Sequence, residues 1–402
     1  MNRIRLSAAL TAAAVAVSML TACSGGDTSE TDTEPVNIIS DGTQYEEEPQ
    51  MPSLSDYVPN SDEYSDWETR YGYFQLDDSQ REMYDATVNA LKNYSQSMPL
   101  FADSQTYSRI LYLIAIEQMS VFYLKQATPT LNESGRYFDV EFSYSYPSAQ
   151  SEEMNNLAAA EAENIISQIP DSADDYEKLK FIHDWLVLNV EKDTESPLSS
   201  TVYGTLIKKK ALCEGYAKSF SYMCNRLGIE NIIVTGYTDV PHMWNMVRLD
   251  GDWYHVDVTW DDVSMDLEDF VSYQFFLADD RIVMENRTID RTIYVPPKAG
   301  GTKYNYFVHE GFLAEASADY PEVLKQSIIQ AVENSRDYAM IKLGSAQEYV
   351  YFLNEINARS DGIDKAIYLA NKELAEKNIT VNITSRFNAD AYQTAVFILD
   401  VY

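Results

Sequence analysis

Cysteine is almost missing from this chain: 402 residues hold three, Cys23, Cys213 and Cys224. A scaffold stapled by disulfides is thereby excluded, and the fold must rest on hydrophobic burial. Cys213 and Cys224 fall on one predicted helix, about 16 Å apart along its axis, too far to bond to each other. Metal patterns are lacking as well. No Cys-x-x-Cys or His-x-x-x-His pair builds a zinc site and no Asp-x-Asp-x-Asp-Gly run builds a calcium loop, so neither metal nor cofactor is expected. Positive charge is scarce, with 30 Lys and Arg against 63 Asp and Glu and a net charge of −33. Phosphate binding needs clustered cations, so nucleic acid is excluded as a partner. Long apolar runs are missing too; residues 6–20 form one that is too short for a permanent membrane span. What the chain does have is 45% hydrophobic residues, enough for ordinary cores in two or three domains.

The run 6–20 follows Arg3 and Arg5 and ends in Leu20-Thr21-Ala22-Cys23, the layout of a signal peptide over residues 1–22. Its end resembles a lipobox, which implies cleavage before Cys23 and a diacylglyceryl thioether on that sulfur. Two or three acyl chains anchor a protein stably where one would be marginal. The expected location is the cell envelope, outside the cytoplasm, with the membrane held through lipidated Cys23. Residues 23–68 then form a tether: positions 24–68 contain thirteen Asp or Glu and no Lys or Arg, among Ser, Thr, Gly and Pro. Such a composition stays solvated and repels itself.

The stretch 201–262 carries the chemistry. Cys213 precedes an apolar stripe at helical spacing, Tyr216, Ala217, Phe220, Met223, Cys224 and Leu227, which Gly228 closes. Cys213 therefore opens a helix, where unpaired backbone N–H groups and the positive dipole end favour a thiolate. Cys224 lies on the stripe and reads as core. Residues 231–237 and 242–249 read as strands, Asp250-Gly251 as a two-residue hairpin turn and 252–260 as a third strand. If Leu249 faces Asp252, then Trp244 faces Asp257, His242 faces Thr259, and His242, Trp244 and Asp257 share a face. Asp257 becomes the diagonal neighbour of His242, at a Cβ separation of somewhat under ~7–8 Å that a hydrogen bond can close. Set against the tip of the Cys213 helix, the pair completes nucleophile, base and orienter in Cys213, His242 and Asp257. His255 is the rival base, facing Met246 in the same register. A small buried hydrophobe and a zinc ligand are the competing readings of Cys213. His183, on the apolar face of a helix over 174–190, reads as a core histidine with a site role as the alternative. Trp244, Trp260 and Tyr237 are packing residues or walls of a substrate groove.

The segments YGTLIKKKALCEGYAKSF, GIENIIVTGY, PHMWNMV and DGDWYHVDVTWDD, in that order, resemble the transglutaminase-like core in the form found in bacterial surface lipoproteins. The resemblance implies a papain-like α+β core, a helix bearing the cysteine packed on an antiparallel sheet, with a Cys-His-Asp triad. It also suggests Tyr203, beside the backbone N–H of Cys213, as an oxyanion residue; a plain core tyrosine is the other reading. The reaction stays open, since members include cross-linking transglutaminases, peptidases, amidases and catalytically dead proteins. Hydrolysis of peptide or protein amides at the cell surface is the expected activity, with amine transfer and a silent binding scaffold as alternatives.

Around this core, at 149–297, a mainly helical domain is expected over 69–148, with helices over 77–94 and 105–124 and a strand over 138–146. The core opens with helices over 151–169 and 174–190. Past Pro296-Pro297 an α+β accessory domain is expected over 298–402. It has strands at 304–308 and 339–343, helices near 322–334, 346–357 and 362–377, and closing strands at 379–385 and 392–401.

Overall fold

The computed structural model describes residues 70–100, 103–131, 138–263, 269–358 and 361–402. The signal peptide, Cys23 and the tether lie outside the described residues. Helix and sheet are mixed throughout, and the chain forms two compact units. The first takes the described residues up to Ala173 with Asn189–Asn245 and Thr288–Pro296, the second Asp174–Leu188, Met246–Arg287 and Pro297–Tyr402.

Among the described residues of the first unit a helical turn, Tyr73–Gln75, precedes the helix Asp78–Lys92, whose N-terminal end is closed reciprocally. The Asp77 carboxylate accepts the Gln80 N–H at 2.9 Å while the Gln80 side chain accepts the Asp77 N–H at 3.3 Å, satisfying two donors that a helix start leaves orphaned. The next helix, Ser104–Glu117, stops short of the expected 105–124, and the chain re-emerges as the strand Leu124–Leu131. With Ser97–Leu100 and Phe138–Tyr144 it makes a three-stranded antiparallel sheet with Phe138–Tyr144 in the middle. Both outer strands carry a proline, Pro99 and Pro129, a residue that suits only an edge and hides a strand from pattern reading. Further helices, Ser148–Ile166, Val202–Lys208 and Cys213–Arg226, precede the strands Asn231–Tyr237 and Pro241–Leu249. Thr288–Ile289 pairs antiparallel with the outer edge of Asn231–Tyr237.

In the second unit Pro241–Leu249 continues past Asn245 and turns back at Asp250-Gly251. Both turn residues have positive φ, 51° and 91°, the requirement of a type I′ hairpin that Asp-Gly meets at low cost. The returning strand, Asp252–Val256, lies beside Phe276–Ala278. It ends four residues before the expected Trp260, because Asp257 leaves the extended conformation (φ −121°, ψ 83°) and caps a short helix, Val258–Asp261. Farther on, Leu313–Ala314, Tyr338–Leu343, Thr394–Val401 and Val381–Ala389 form a four-stranded sheet in that order, with the first pair parallel and the others antiparallel. Helices Tyr320–Glu333, Ala346–Asn357 and Gly362–Leu374 bury Tyr320, Leu324, Ile328, Phe352, Ala366 and Ala370 in a core shared with Ile341 and Phe397. The strand expected at 304–308 is instead a helical turn, Tyr306–His309, closed by the His309 N–H on the Asn305 carbonyl at 2.8 Å.

Candidate active site

Cys213 is the first residue of its helix and half-buried, while every residue from Glu214 to Asn225 is buried. The tip of that helix is seated on the preceding loop. The Leu212 N–H donates to the Ser199 carbonyl at 2.8 Å, and a Cβ at Gly215 would fall 2.1 Å from the same carbonyl oxygen and 2.8 Å from Thr205 Oγ1. Only glycine permits that approach. One residue after the cysteine, Glu214 pairs with Lys218 at 2.6 Å, both side chains nearly buried. Cys224 is fully buried, which pushes its thiol well up and keeps it protonated. The two described cysteines form no disulfide.

His242 is buried on Pro241–Leu249, and its ring stacks on that of Trp244 at 5.7 Å and 18°, as side chains two apart on one strand face can. Trp244 itself is 1% exposed, so what it presents to the histidine is a fixed aromatic wall. The next residue, Asn245, donates from Nδ2 to the Ala217 carbonyl at 2.9 Å, tying the histidine strand to the cysteine helix. Tyr203 is half-buried on Val202–Lys208 with the Lys208 ammonium 5.4 Å from its ring centroid. Tyr112, which no sequence pattern singles out, is half-buried on Ser104–Glu117; burial raises its phenol, and the charges of Glu214, Asp290 and Cys213 raise it further.

In the second unit Asp257 is 1% exposed. Its Oδ1 accepts the Trp260 N–H at 3.2 Å, and its Oδ2 accepts both Nε and Nη2 of Arg287, at 3.1 and 2.8 Å. The guanidinium lies between two rings, 4.4 Å from the centroid of half-buried Trp260 and 3.8 Å from that of Phe275. Nothing in local spacing points to Arg287, thirty residues downstream. His255 is buried with Nε2 2.9 Å from Asp280 Oδ1. His183 is buried too, between two aspartates, Asp184 and Asp261. Among the described residues no group of three or more His, Cys, Asp or Glu is arranged to hold a metal ion, and no helix is long and apolar enough to cross a membrane.

Residues 163–258 match the model of the transglutaminase-like superfamily. Over 116 residues the chain is 28% identical to the kyphoscoliosis peptidase of Mus musculus, covering 24% of this chain and 18% of that protein. Over 107 residues it is 29% identical to the kyphoscoliosis peptidase of Homo sapiens, covering 21% and 16%. The chain thus spans less than a fifth of the length of these curated relatives. Among solved structures, a candidate cysteine protease from Cytophaga hutchinsonii is similar at 24% identity, covering 26% of this chain and 37% of that one, with a TM-score of 0.23.

Proposed function

For a chain whose residues 163–258 belong to the transglutaminase-like superfamily, we propose the activity of an envelope-anchored cysteine hydrolase of peptide or protein amides. Cys213 is its nucleophile, His242 its acid and base, and Asp257 the orienter of His242. The observation that carries this reading is the extent of the family match: 163–258 contains all three residues. The half-buried position of Cys213 at a helix start supports it, since that is where a thiolate is stabilised and reachable. The names of the two relatives, both peptidases, favour hydrolysis over amine transfer.

The steps balance without any added reactant but water. The Cys213 thiolate forms a C–S bond to the amide carbon, and the displaced electron pair rests on oxygen near the Cys213 N–H and, in this reading, the Tyr203 hydroxyl. The C–N bond breaks as protonated His242 passes its proton to the leaving nitrogen, and a thioester remains. Water, losing a proton to His242, attacks the thioester; the C–S bond breaks, the acid departs and the thiolate returns. A lysine amine in place of water would make an isopeptide cross-link. Trp260, half-buried beside Arg287, is the proposed groove wall, and the lipid on Cys23 the proposed membrane anchor.

The test is residue-resolved alkylation by iodoacetamide at pH 6, read by peptide mass, on wild type, Cys213→Ala and His242→Ala. Fast labelling at Cys213 that is lost in His242→Ala is expected; labelling no faster than an ordinary thiol, or unchanged in His242→Ala, would overturn the enzyme reading in favour of a binding scaffold. Incubation with a peptide library with and without a primary amine then separates the outcomes by product mass, cleaved acid against amine adduct.

A further inference from the structure

The second unit holds a buried ionic cluster that the thiol chemistry leaves unused. His183 stands on the helix Asp175–Asn189 with 0% exposure, its Nδ1 3.1 Å from Asp184 Oδ1 and its Nε2 3.2 Å from Asp261 Oδ2. A neutral imidazole has one N–H and can donate to only one of them; the doubly protonated ring donates to both. Burial alone would pull the His183 pKa down, yet the hydrogen bonds and charges of the two carboxylates outweigh it and hold it above the ordinary imidazole value. Its neighbours are fixed in turn. Asp184 Oδ2 accepts from Lys180 Nζ at 2.6 Å and the Tyr273 hydroxyl at 2.8 Å, with Arg336 Nη2 at 3.6 Å. The imidazole stacks on the Tyr273 ring at 5.6 Å and tilts against Phe276 at 4.8 Å. The charge of Asp261 is also felt at Lys342.

Asp261 links this cluster to Asp257. It is the last residue of the helix Val258–Asp261, whose N-cap is Asp257. Its carboxylate accepts the Phe275 N–H at 3.1 Å and the Ser272 hydroxyl at 3.3 Å, while the Phe275 carbonyl accepts the Asp257 N–H at 3.2 Å. One residue, Phe275, is therefore bound through its N–H and its carbonyl to both ends of the helix that presents Asp257. The ring of the same Phe275 packs on the guanidinium that grips Asp257.

Resting on the reading of Asp257 as orienter of His242, we propose that His183 is a positioning residue: clamped as an imidazolium between Asp184 and Asp261, it fixes Asp261, and through Phe275 it sets where the Asp257 carboxylate stands. A histidine that merely filled the core would have no such effect on the thiol. Two measurements on the full chain test this. The first, on wild type, is the nitrogen NMR signature of the His183 ring at neutral pH, expected to show both nitrogens protonated; a singly protonated ring overturns the proposal. The second is the pH profile of Cys213 alkylation by iodoacetamide in wild type, Asp257→Asn, His183→Gln and Asp184→Asn, with thermal unfolding recorded beside it. Asp257→Asn is expected to move the inflection towards that of an ordinary thiol, and His183→Gln to move it part of the way in the same direction, without adding to Asp257→Asn in the double variant. If His183→Gln does not fold, Asp184→Asn, which keeps the ring and its bond to Asp261, is expected to give a smaller shift of the same sign. An unmoved profile in a folded His183 or Asp184 variant, with Asp257→Asn shifted, sinks the positioning role and leaves the triad standing. An unmoved profile in Asp257→Asn sinks the triad itself.

Discussion

Two buried carboxyl groups, Asp257 and Glu117, behave differently because of what surrounds each of them. Asp257 and Arg287 are 1% and 0% exposed, and their net value to the fold is small, since desolvation consumes most of the attraction. Removing one partner is another matter. Arg287→Met should leave the Asp257 carboxylate uncompensated and destabilise the protein by about 3–5 kcal/mol, whereas the double change with Asp257→Asn should recover most of that loss. Urea denaturation of the three variants decides it, and a loss under about 1 kcal/mol for Arg287→Met would mean the pair is not desolvated in solution. Glu117 is held by neutral donors, and the charge of Arg70 is only a minor influence on it. Its carboxyl accepts the N–H groups of Gly72 and Tyr73, at 2.6 and 3.3 Å, and the Tyr84 hydroxyl at 3.1 Å. Burial pushes it from 4.5 up to about 8, against the smaller opposing effect of those donors. A raised acid is held by the fold in its protonated form, so its contribution is complete below about pH 4.5 and is lost as pH climbs through about 8. Glu117→Gln, neutral at every pH, should therefore lose less stability than wild type between pH 5 and 9. Parallel melting curves against pH would remove Glu117 as the cause.

At the scale of elements, legibility followed the range of the forces involved. The hairpin turn could be read because Asp250 and Gly251 solve a local problem, positive φ at two successive positions. The cysteine helix could be read because its stripe and its stop at Gly228, φ 70°, are both local. The end of the third strand could not. Asp257 turns out of it to cap a helix and meet Arg287, a partner too distant in sequence for any pattern to show. The strand Leu124–Leu131 was hidden by Pro129, and His183 could be seen as buried but not as bonded to Asp261, 78 residues away. Seating of the cysteine helix is likewise tertiary. Because a Cβ at Gly215 would strike the Ser199 carbonyl and Thr205, Gly215→Ala must push the tip of the helix off its loop. The expected cost is about 1–3 kcal/mol, with slower alkylation of Cys213; an alkylation rate equal to wild type would show that the tip position does not matter to the thiol.

For the whole molecule the question is whether the last hundred or so residues are an appendage. The second unit places Pro297–Tyr402 in one compact body with Met246–Arg287, and several of the bonds between them fall on the segment that serves Asp257. The Val271 N–H donates to the Tyr338 hydroxyl at 3.1 Å, Gln274 Nε2 to Thr394 Oγ1 at 2.6 Å, and Arg336 Nη2 to the Tyr273 hydroxyl at 2.9 Å. Tyr392 packs edge-on against Phe275 at 5.3 Å. Tyr273 and Phe275 are the residues that face His183 and Arg287, so the C-terminal sheet braces the very stretch that holds both ends of the Asp257 helix. Buried polar groups whose partners are removed must be left unsatisfied or rehydrated, each at roughly 1–3 kcal/mol, and a unit of ordinary stability does not survive several such losses. A chain ending at Pro297 should thus show no slow-exchanging amides over 270–278. In the full chain the amides of 270–278 and of Tyr338–Leu343 should open with the same free energy, as parts of one cooperative unit. Hydrogen exchange read by mass spectrometry checks both, and protection of 270–278 that persists in the shortened chain would make the C-terminal sheet a separate module with a task of its own.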